Sequence, residues 1–365
     1  MKLYGKEYTK DGLRQHIGDI SQVAGIKSFT FNEGLAKGVN AFEVKTGSGF
    51  VFTVLPDRGM DIAWMDFKGI PISYITKAGI TGSQYYHPQG FEWLRSFFGG
   101  MLTTCGLTHT GPPGKDGKWD LGLHGRISNI PASEISHSME WQGDNLILSV
   151  SGKMKEAVLY EENLLLSRKI ITYGGENRLI LNDKIENQGY QETPFMIMYH
   201  TNVGFPVISE NSRLIAPIIS TEARDEDAEP GKEHCQTFES PAADFNEQVF
   251  FHKLAADNNG NTCAGIINEA LGIGYYIKFN NNELPVLTEW KMTGQQEYVV
   301  GIEPANCLPI GRTALRESGG LMRIKPGEKR NITIEIGVLA SIDEIDEFIA
   351  YSNSLTNNLK KLSYN

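Results

Sequence analysis

The chain has 365 residues, of which 40% are hydrophobic and 21% are charged, a balance typical of folded globular proteins and not of disordered ones. Its formal net charge of -10 argues against nucleic-acid binding, because such proteins need a basic surface to displace the counterions of the phosphates. This length allows one large domain or two smaller ones.

Cysteine usage and hydropathy indicate the compartment. The four cysteines lie in no CxxC or metal-knuckle spacing, which predicts free, buried thiols in a reducing environment. The N-terminus lacks the apolar core of a secretory signal, and no stretch reaches the ~20 consecutive apolar residues of a membrane span. We therefore predict a cytoplasmic protein without a membrane partner or a nucleic-acid partner.

Strand patterns dominate the chain, and turn-forming clusters of Asn, Gly and Pro separate them. In chain order the predicted strands cover residues 41–45, 49–55, 146–150, 164–171, 179–185, 265–267, 275–279, 298–302 and 331–338. Helical patterns are scarce. We predict a short helix at about 90–98 and a C-terminal helix at about 341–361, where Ser341 and Glu344 fit a capping box.

This pattern predicts a mainly β protein. There is no βαβ alternation and no glycine fingerprint for a dinucleotide, so a doubly wound fold is disfavoured. Strands without crossover helices must bury their apolar faces against another sheet, which predicts a large antiparallel β-sandwich with few short helices. The acidic segment 220–246 is interpreted as a surface excursion, and residues 1–365 as a single domain.

Two glycine-rich clusters carry candidate binding residues. In residues 55–62 (LPDRGMDI), Arg58 is a planar donor suited to the rim of a binding site, or else it pairs structurally with a neighbouring aspartate. In residues 121–126 (LGLHGR), glycines let the backbone pass close to a ligand and present His124 beside Arg126. The alternative for His124 is a structural histidine with satisfied hydrogen bonds.

Two further clusters follow apolar strands. The strand at 194–199 leads into His200, where partial desolvation can bring an imidazole pKa near the working pH of a general acid. The alternative is a histidine that caps the strand end. Glu303 follows the strand at 298–302, where a charge is costly without partners, so it is either a base in a cleft or a structural partner of Lys291 or Arg312.

Other chemistries find less support. His87, Cys105 and His109 are spaced too loosely to predict a metal site, so no metal and no organic cofactor is predicted. The GxSxG elbow of an acyl-transfer serine is missing from the sequence. The sequence does not exclude a retaining glycosidase, which needs two carboxylates at close range, because the chain has many carboxylates.

The order of these clusters resembles the aldose 1-epimerase (galactose mutarotase-like) superfamily over residues ~40–340. Leu-His-Gly-Arg at 123–126 is similar to the His-Gly-Phe-Ala-Arg motif of hexose-phosphate mutarotases, and residues 187–201 are similar to the family's N-x-G … H-T-Y-F segment. Gly-Ile-Glu-Pro at 301–304 resembles the C-x-E-P segment, and Lys-Pro-Gly-Glu at 325–328 the L-x-P-G-E turn. Residues 56–61, 93–100 and 303–306 look most similar to a bacterial aldose-epimerase-like group of unknown function.

The resemblance implies a supersandwich fold with an open cleft across one concave sheet, and an isomerase that interconverts the anomers of an aldose or aldose derivative. Glu303 would take the proton of the anomeric hydroxyl while His200 protonates the ring oxygen. The candidate substrate-binding residues are Arg58, His124, Arg126, Asn202, Asp225, Lys291 and Asn306. The resemblance implies a small-molecule carbohydrate as the partner and implies no cofactor. A homodimer is possible.

Two alternatives from other functional classes remain at this point. The same acid and base could serve a sugar isomerase or a lyase that enolises an oxidised sugar. The protein could instead bind carbohydrate without turnover, with Trp64, Trp93 and Trp290 as aromatic platforms. Thr-Asn-Val at 201–203 replaces the family's Thr-Tyr-Phe, so the identity of the sugar is not carried over.

Overall fold

A computed structural model describes the backbone of residues 1–362 and the side chains of residues 1–357. Its strands, in chain order, are β1 (Lys2–Leu3), β2 (Lys6–Glu7), β3 (Gly25–Thr30), β4 (Asn40–Lys45), β5 (Phe50–Leu55), β6 (Asp61–Phe67), β7 (Ile70–Pro71), β8 (Thr103–Leu107), β9 (Gly114–Asp116), β10 (Trp119–Leu121), β11 (Ser133–Gln142), β12 (Asn145–Ala157), β13 (Asn163–Tyr173), β14 (Arg178–Asn187), β15 (Thr193–Pro194), β16 (Met196–Gly204), β17 (Ser212–Ile215), β18 (Ile218–Ala223), β19 (Gln248–Leu254), β20 (Asn261–Asn268), β21 (Ile273–Asn280), β22 (Val286–Thr293), β23 (Tyr298–Ala305), β24 (Arg323–Ile324) and β25 (Lys329–Leu339).

Helices are short apart from the last. The α-helices are α1 (Lys10–Arg14), α2 (Arg312–Glu317) and α3 (Ile342–Leu362), and the 3₁₀ helices are Ile20–Gln22, Gly34–Ala36, Ser83–Tyr85, Glu92–Arg95, Ile127–Asn129 and Glu229–His234. The helix expected at 90–98 is therefore wrong in kind, because only one 3₁₀ turn forms there. None of the helices among residues 1–362 is both long enough and apolar enough to cross a membrane.

Three antiparallel sheets form the body of the molecule. The eight-stranded sheet has the order β11-β12-β13-β14-β25-β21-β20-β17, the six-stranded sheet β18-β19-β22-β23-β16-β8, and the five-stranded sheet β3-β4-β5-β6-β7. One apolar core is shared by all three, with Leu166 and Ile334 from the first, Ile197 and Ile302 from the second, and Phe52 from the third. The predicted β-sandwich is confirmed.

Alternation explains which face of each long strand enters this core. Along β13, Leu164, Leu166 and Ile170 are buried while the residues between them are more exposed, as a period of two requires. Two charged residues break the apolar pattern on this buried face. Arg168 of β13 and Asp183 of β14 are 1% and 2% exposed, and they form an ion pair inside the core.

The strands β16 and β23 are buried on both faces, because loops cover the face that points away from the core. On β16, Ile197 and Tyr199 point into the shared core, whereas Met198 packs with Trp93 and Phe97 of the covering loop 91–97. This second face of the six-stranded sheet, roofed by loops, is the place where an enclosed cleft can form.

The four cysteines are free and buried, as expected. Residues 220–223 of the acidic segment 220–246 belong to β18; the rest leaves the six-stranded sheet and returns at β19, with the 3₁₀ helix Glu229–His234 between the two strands. At the start of α3, the Glu344 backbone N–H donates to the Ser341 hydroxyl and the Glu344 carboxylate accepts from the Ala340 N–H, at 3.2 and 2.7 Å.

Candidate active site

His200 and Glu303 lie side by side on the covered face of the six-stranded sheet. The antiparallel pairs Met198↔Ala305 and Thr201↔Ile302 set a register that places His200 of β16 directly opposite Glu303 of β23. Directly opposite residues of antiparallel strands point to the same face with their Cβ atoms close together. Two residues that are a hundred positions apart in the sequence thus become neighbours on the sheet.

The two side chains touch but do not satisfy each other. Nε2 of His200 lies 3.1 Å from Oε1 of Glu303, and the side chains are 6% and 3% exposed. Oε1 nevertheless has no partner with hydrogen-bond geometry among the described residues, and the same holds for Nδ1 of His200. Because buried polar atoms are rarely left unpaired, these orphans indicate a position that a polar ligand completes.

Burial shifts the pKa values of both side chains so that the neutral imidazole and the neutral carboxyl group are favoured. It lowers the pKa of His200 to about 4. It raises the pKa of Glu303 well above its ordinary value, with a further contribution from the nearby carboxylate of Glu247. The pair therefore favours sharing a single proton over separating two charges in a medium of low dielectric constant.

Above the pair lies a cleft of about 380 Å³ whose walls are largely aromatic. The ring centroids of Phe97, Trp290 and His124 lie 5.3, 5.5 and 5.9 Å from that of His200. Trp93 stacks on Phe97 at 4.5 Å and fixes this wall from behind. Flat apolar faces beside a few polar groups are the arrangement that sugar rings bind, since their C–H faces pack on aromatic rings.

Of the seven candidate substrate-binding residues named from the resemblance, His124 is the one that joins the pair in the cleft. Its backbone has a positive φ of 56°, followed by Gly125 at 77°, and this turn presents the imidazole to the cleft. The Gly111 N–H donates to Nδ1 of His124 at 3.3 Å, which leaves the ring proton of the neutral form on Nε2. Burial, and then His200, lowers the pKa of His124, so that the neutral form is favoured.

One side of the cleft is built by a charged bridge that the sequence did not reveal. Glu247 accepts from Nη1 of Arg224 at 3.1 Å and from Nε1 of Trp290 at 2.9 Å. Arg224 also donates through Nε to Asp225 at 2.6 Å. Nη2 of Arg224 takes part in none of these bonds, so the guanidinium can still donate to a ligand in the cleft that it lines.

Arg58 does not lie at the cleft, which corrects the sequence-based prediction. The side chain is 1% exposed, and it donates to the carbonyl oxygens of Ser128, Thr81 and Ser96 at 3.0, 2.6 and 2.8 Å. These three carbonyls belong to separate loops. The guanidinium therefore ties together the loops that roof the sheet and has no exposed edge for a sugar.

Asn202 and Asn306 are likewise structural. Asn202 is fully buried and its amide donates to the carbonyls of Gly100 and His200 at 3.0 and 3.1 Å. Asn306 donates to the carbonyl of Phe195 at 3.0 Å and so fixes the start of β16 to the end of β23. Both amides bond to backbone, which is the commonest use of a buried asparagine at a strand end.

The remaining three predicted residues point elsewhere. Lys291 alternates with Trp290 on β22, so its side chain lies on the opposite face, where it bonds to Glu239 at 3.0 Å. Arg126 follows His124 and Gly125 and lines a separate cavity of about 410 Å³ on the other side of that turn. Asp225 is exposed and pairs with its neighbour Arg224, which is the member of that segment that reaches the cleft.

A larger cavity elsewhere is not the candidate site. It measures about 1060 Å³ and lies between the N-terminal segment, one end of the central strands β14, β25 and β21 of the eight-stranded sheet, and α3. Arg178, which lines it, is paired with Glu176 and Glu335. The smaller cleft holds the unpaired, buried acid–base groups and is the better candidate.

Comparison with known proteins places the chain in a family. The family model described as a domain of unknown function (DUF4432) matches residues 36–338. The chain belongs to this family. Among curated protein sequences, none matches the chain significantly.

Solved structures share the architecture. A crystal structure of a "putative aldose 1-epimerase" from Klebsiella pneumoniae subsp. pneumoniae matches with a TM-score of 0.88 and 25% identity, over 96% of this chain and 91% of that one. A galactose mutarotase-like protein from Clostridium acetobutylicum matches at 0.60 and 16%, over 87% and 99%. Galactose 1-epimerase from Lactobacillus acidophilus matches at 0.57 and 15%, over 86% and 98%. The predicted galactose mutarotase-like sandwich and the resemblance to this superfamily are confirmed.

Proposed function

We propose that this protein is an aldose 1-epimerase-like isomerase that interconverts the α and β anomers of an aldose or aldose derivative. The observation that carries the proposal is the contact between His200 and Glu303 on the cleft floor, where Oε1 of Glu303 is buried without a hydrogen-bond partner from residues 1–357. The names of the Klebsiella and Lactobacillus structures, which share the fold, support the same reaction class.

The reaction needs one proton removed and one delivered. In the ring-opening step Glu303 accepts the proton of the anomeric hydroxyl as the bond between C1 and the ring oxygen breaks, and His200 donates its proton to that oxygen. After rotation about the adjacent carbon–carbon bond, the two transfers reverse and the ring closes on the other face. The pair starts with a carboxylate and an imidazolium and reaches a neutral acid and a neutral imidazole.

Burial supports this direction of transfer. Because it raises the pKa of Glu303 and lowers that of His200, the buried pair favours the neutral form that ring opening generates. The charged starting pair is thus both a stronger base and a stronger acid than in water. His124, with its ring proton on Nε2, and Arg224 are candidate donors to sugar oxygens.

Anomer exchange measured by NMR or polarimetry, over a panel of freshly dissolved aldoses and aldose derivatives, tests the proposal. At least one sugar is expected to reach anomeric equilibrium faster with the protein than without it, at a rate proportional to protein concentration. Binding of a sugar without any acceleration would contradict the isomerase and favour the carbohydrate-binding alternative.

The pH dependence of this exchange is a separate prediction. Activity needs one proton on the pair, so kcat/KM is expected to fall on the acid side near pH 4, where His200 and Glu303 are both protonated and no base remains. On the alkaline side it is expected to fall only above the raised pKa of Glu303, where no acid remains. The rates are measured after subtraction of the spontaneous exchange at each pH. An alkaline fall centred at about pH 6.5, the ordinary pKa of a histidine that acts alone as the acid, would contradict a coupled pair.

A further inference from the structure

Behind the cleft, on the opposite face of the same strands, lies a second cluster of reactive side chains. Cys235, His252 and Glu289 each offer one ligand atom, and these atoms lie within 4.8 Å of one another. The residues are 5%, 2% and 0% exposed. His252 and Glu289 stand on the adjacent strands β19 and β22, whereas Cys235 comes from the segment 220–246 that folds over them.

The histidine of this cluster is oriented by its surroundings. Nδ1 of His252 lies 3.0 Å from the hydroxyl of Thr221, which can accept the ring proton there and leave the lone pair of Nε2 free. Nε2 faces Oε2 of Glu289 at 2.9 Å. A histidine held through one nitrogen by an oxygen, with the other nitrogen directed at an anionic group, has the arrangement of a metal ligand with its supporting partner.

The carboxylate provides an independent indication. Oε1 of Glu289 is buried and has no hydrogen-bond partner in the part of the chain that the structure describes. Lys291 of β22, whose charge acts on Glu289, is already bonded to Glu239 at 3.0 Å and to the carbonyl of Thr237 at 2.8 Å. The free carboxylate oxygen therefore has capacity for a further cation, and an unpaired buried oxygen of this kind calls for an explanation.

We propose that Cys235, His252 and Glu289 form a binding site for one divalent cation of the zinc class. A thiolate, an imidazole and a carboxylate together are the donors that Zn²⁺ prefers, and three protein ligands leave a fourth position for water. The donor atoms of a tetrahedral zinc site lie about 3.5 Å apart. Here the ligand atoms lie within 4.8 Å of one another, and Nε2 of His252 is 2.9 Å from Oε2 of Glu289. When a cation binds, the widest separation therefore shortens slightly and the distance between Nε2 and Oε2 lengthens slightly.

The position of the site gives it a structural consequence for the cleft. Cys235 lies in the segment between Arg224 and Glu247 along the chain, and these two residues form one wall of the cleft. A cation would fasten the middle of this segment to β19 and β22, the strands beneath it. Metal binding would thus hold the wall in place without touching the reacting atoms.

The test uses the full chain after chelation and dialysis. Added Zn²⁺ is expected to bind at about one equivalent and, at about 100 Kd of free metal, to raise Tm by roughly 3–4 °C. Co²⁺ is expected to give the thiolate charge-transfer absorption that reports a Co–S bond. Cys235→Ser and Glu289→Gln, which nearly preserve side-chain shape, are expected to abolish all three effects.

Cys263→Ser is the matched control, since Cys263 is also free and buried but lies in a different apolar cluster, against α3. It should bind Zn²⁺ and Co²⁺ like the wild type. The proposal is overturned if the wild type takes up no Zn²⁺, or if Cys235→Ser and Glu289→Gln, verified as folded by circular dichroism, retain wild-type uptake. These readouts do not depend on anomer exchange, so they stand whether or not the proposed function holds.

Discussion

Replacing Glu303 with glutamine is expected to slow anomer exchange by about 10²–10⁴-fold while the protein stays folded. Glutamine keeps the shape of the side chain but cannot take the proton of the anomeric hydroxyl. Oε1 of Glu303 has no hydrogen-bond partner within residues 1–357, so the substitution breaks no bond that this oxygen makes in the fold. Burial disfavours the carboxylate, so Tm is expected to stay the same or to rise.

Exchange rates and Tm of the variant are measured together with those of Glu297→Gln. Glu297 immediately precedes β23 and pairs with Lys77 at the surface, so this control carries the same chemical change without affecting the pair. The double variant Glu303→Gln, His200→Asn should be little slower than either single variant, because residues that act as one unit are not additive. Full activity of folded Glu303→Gln would refute the assigned role.

The sequence identifies the pair but not its geometry. His200 and Glu303 stand out because a polar group interrupts or ends an apolar strand, which is costly unless a partner or a function compensates for it. Their contact depends on the register between β16 and β23, which are separated by residues 205–297. Alternation of residues predicts the faces of one strand and says nothing about which distant strand lies next to it.

The other binding residues illustrate a second limit. Arg58 and Asn306 lie within two residues of a glycine or a proline in the sequence, as binding residues often do, yet both bond to backbone carbonyls inside the fold. Arg224 and Glu247 lie in a polar segment that reads as a surface loop. Whether a polar side chain faces a ligand or a carbonyl is decided by tertiary packing, so the sequence could not separate the two cases.

The nine predicted strand segments all overlap observed strands, because period-two alternation follows directly from the requirement that one face is buried, but strands such as β6, β11 and β22 were not predicted. What the pattern could not predict is the charged network inside the core. Arg168 donates to Asp183 at 2.6 and 2.9 Å and to Asp61 at 3.1 Å, and all three side chains are fully buried. The hydroxyl of Tyr199, adjacent to His200 on β16, donates to Asp183 at 2.8 Å. The network therefore connects the eight-stranded sheet to the strand that carries the candidate acid.

Removing the cation of this network is expected to cause the largest loss of stability. In Arg168→Met two buried carboxylates lose their counter-charge, which typically costs about 3–5 kcal/mol of the free energy of unfolding. Denaturant unfolding at pH 7 measures this loss against Arg213→Met, whose exposed pair with Glu269 should be worth no more than about 1 kcal/mol. Equal losses in the two variants would show that the buried network contributes no more than a surface pair.

The pH dependence of this loss in the free energy of unfolding shows whether it comes from an uncompensated buried charge or from poorer packing around residue 168. Burial already raises the pKa of Asp61 to about 6 against the attraction of Arg168, and without Arg168 it should rise further. A carboxyl whose pKa is higher in the folded state than in the unfolded state lowers stability as pH rises from the unfolded pKa to the folded one. The difference between Arg168→Met and the wild type is therefore expected to be smaller at pH 4 than at pH 7. A difference that stays constant over this range would assign the loss to the cavity and the missing contacts, because those do not titrate.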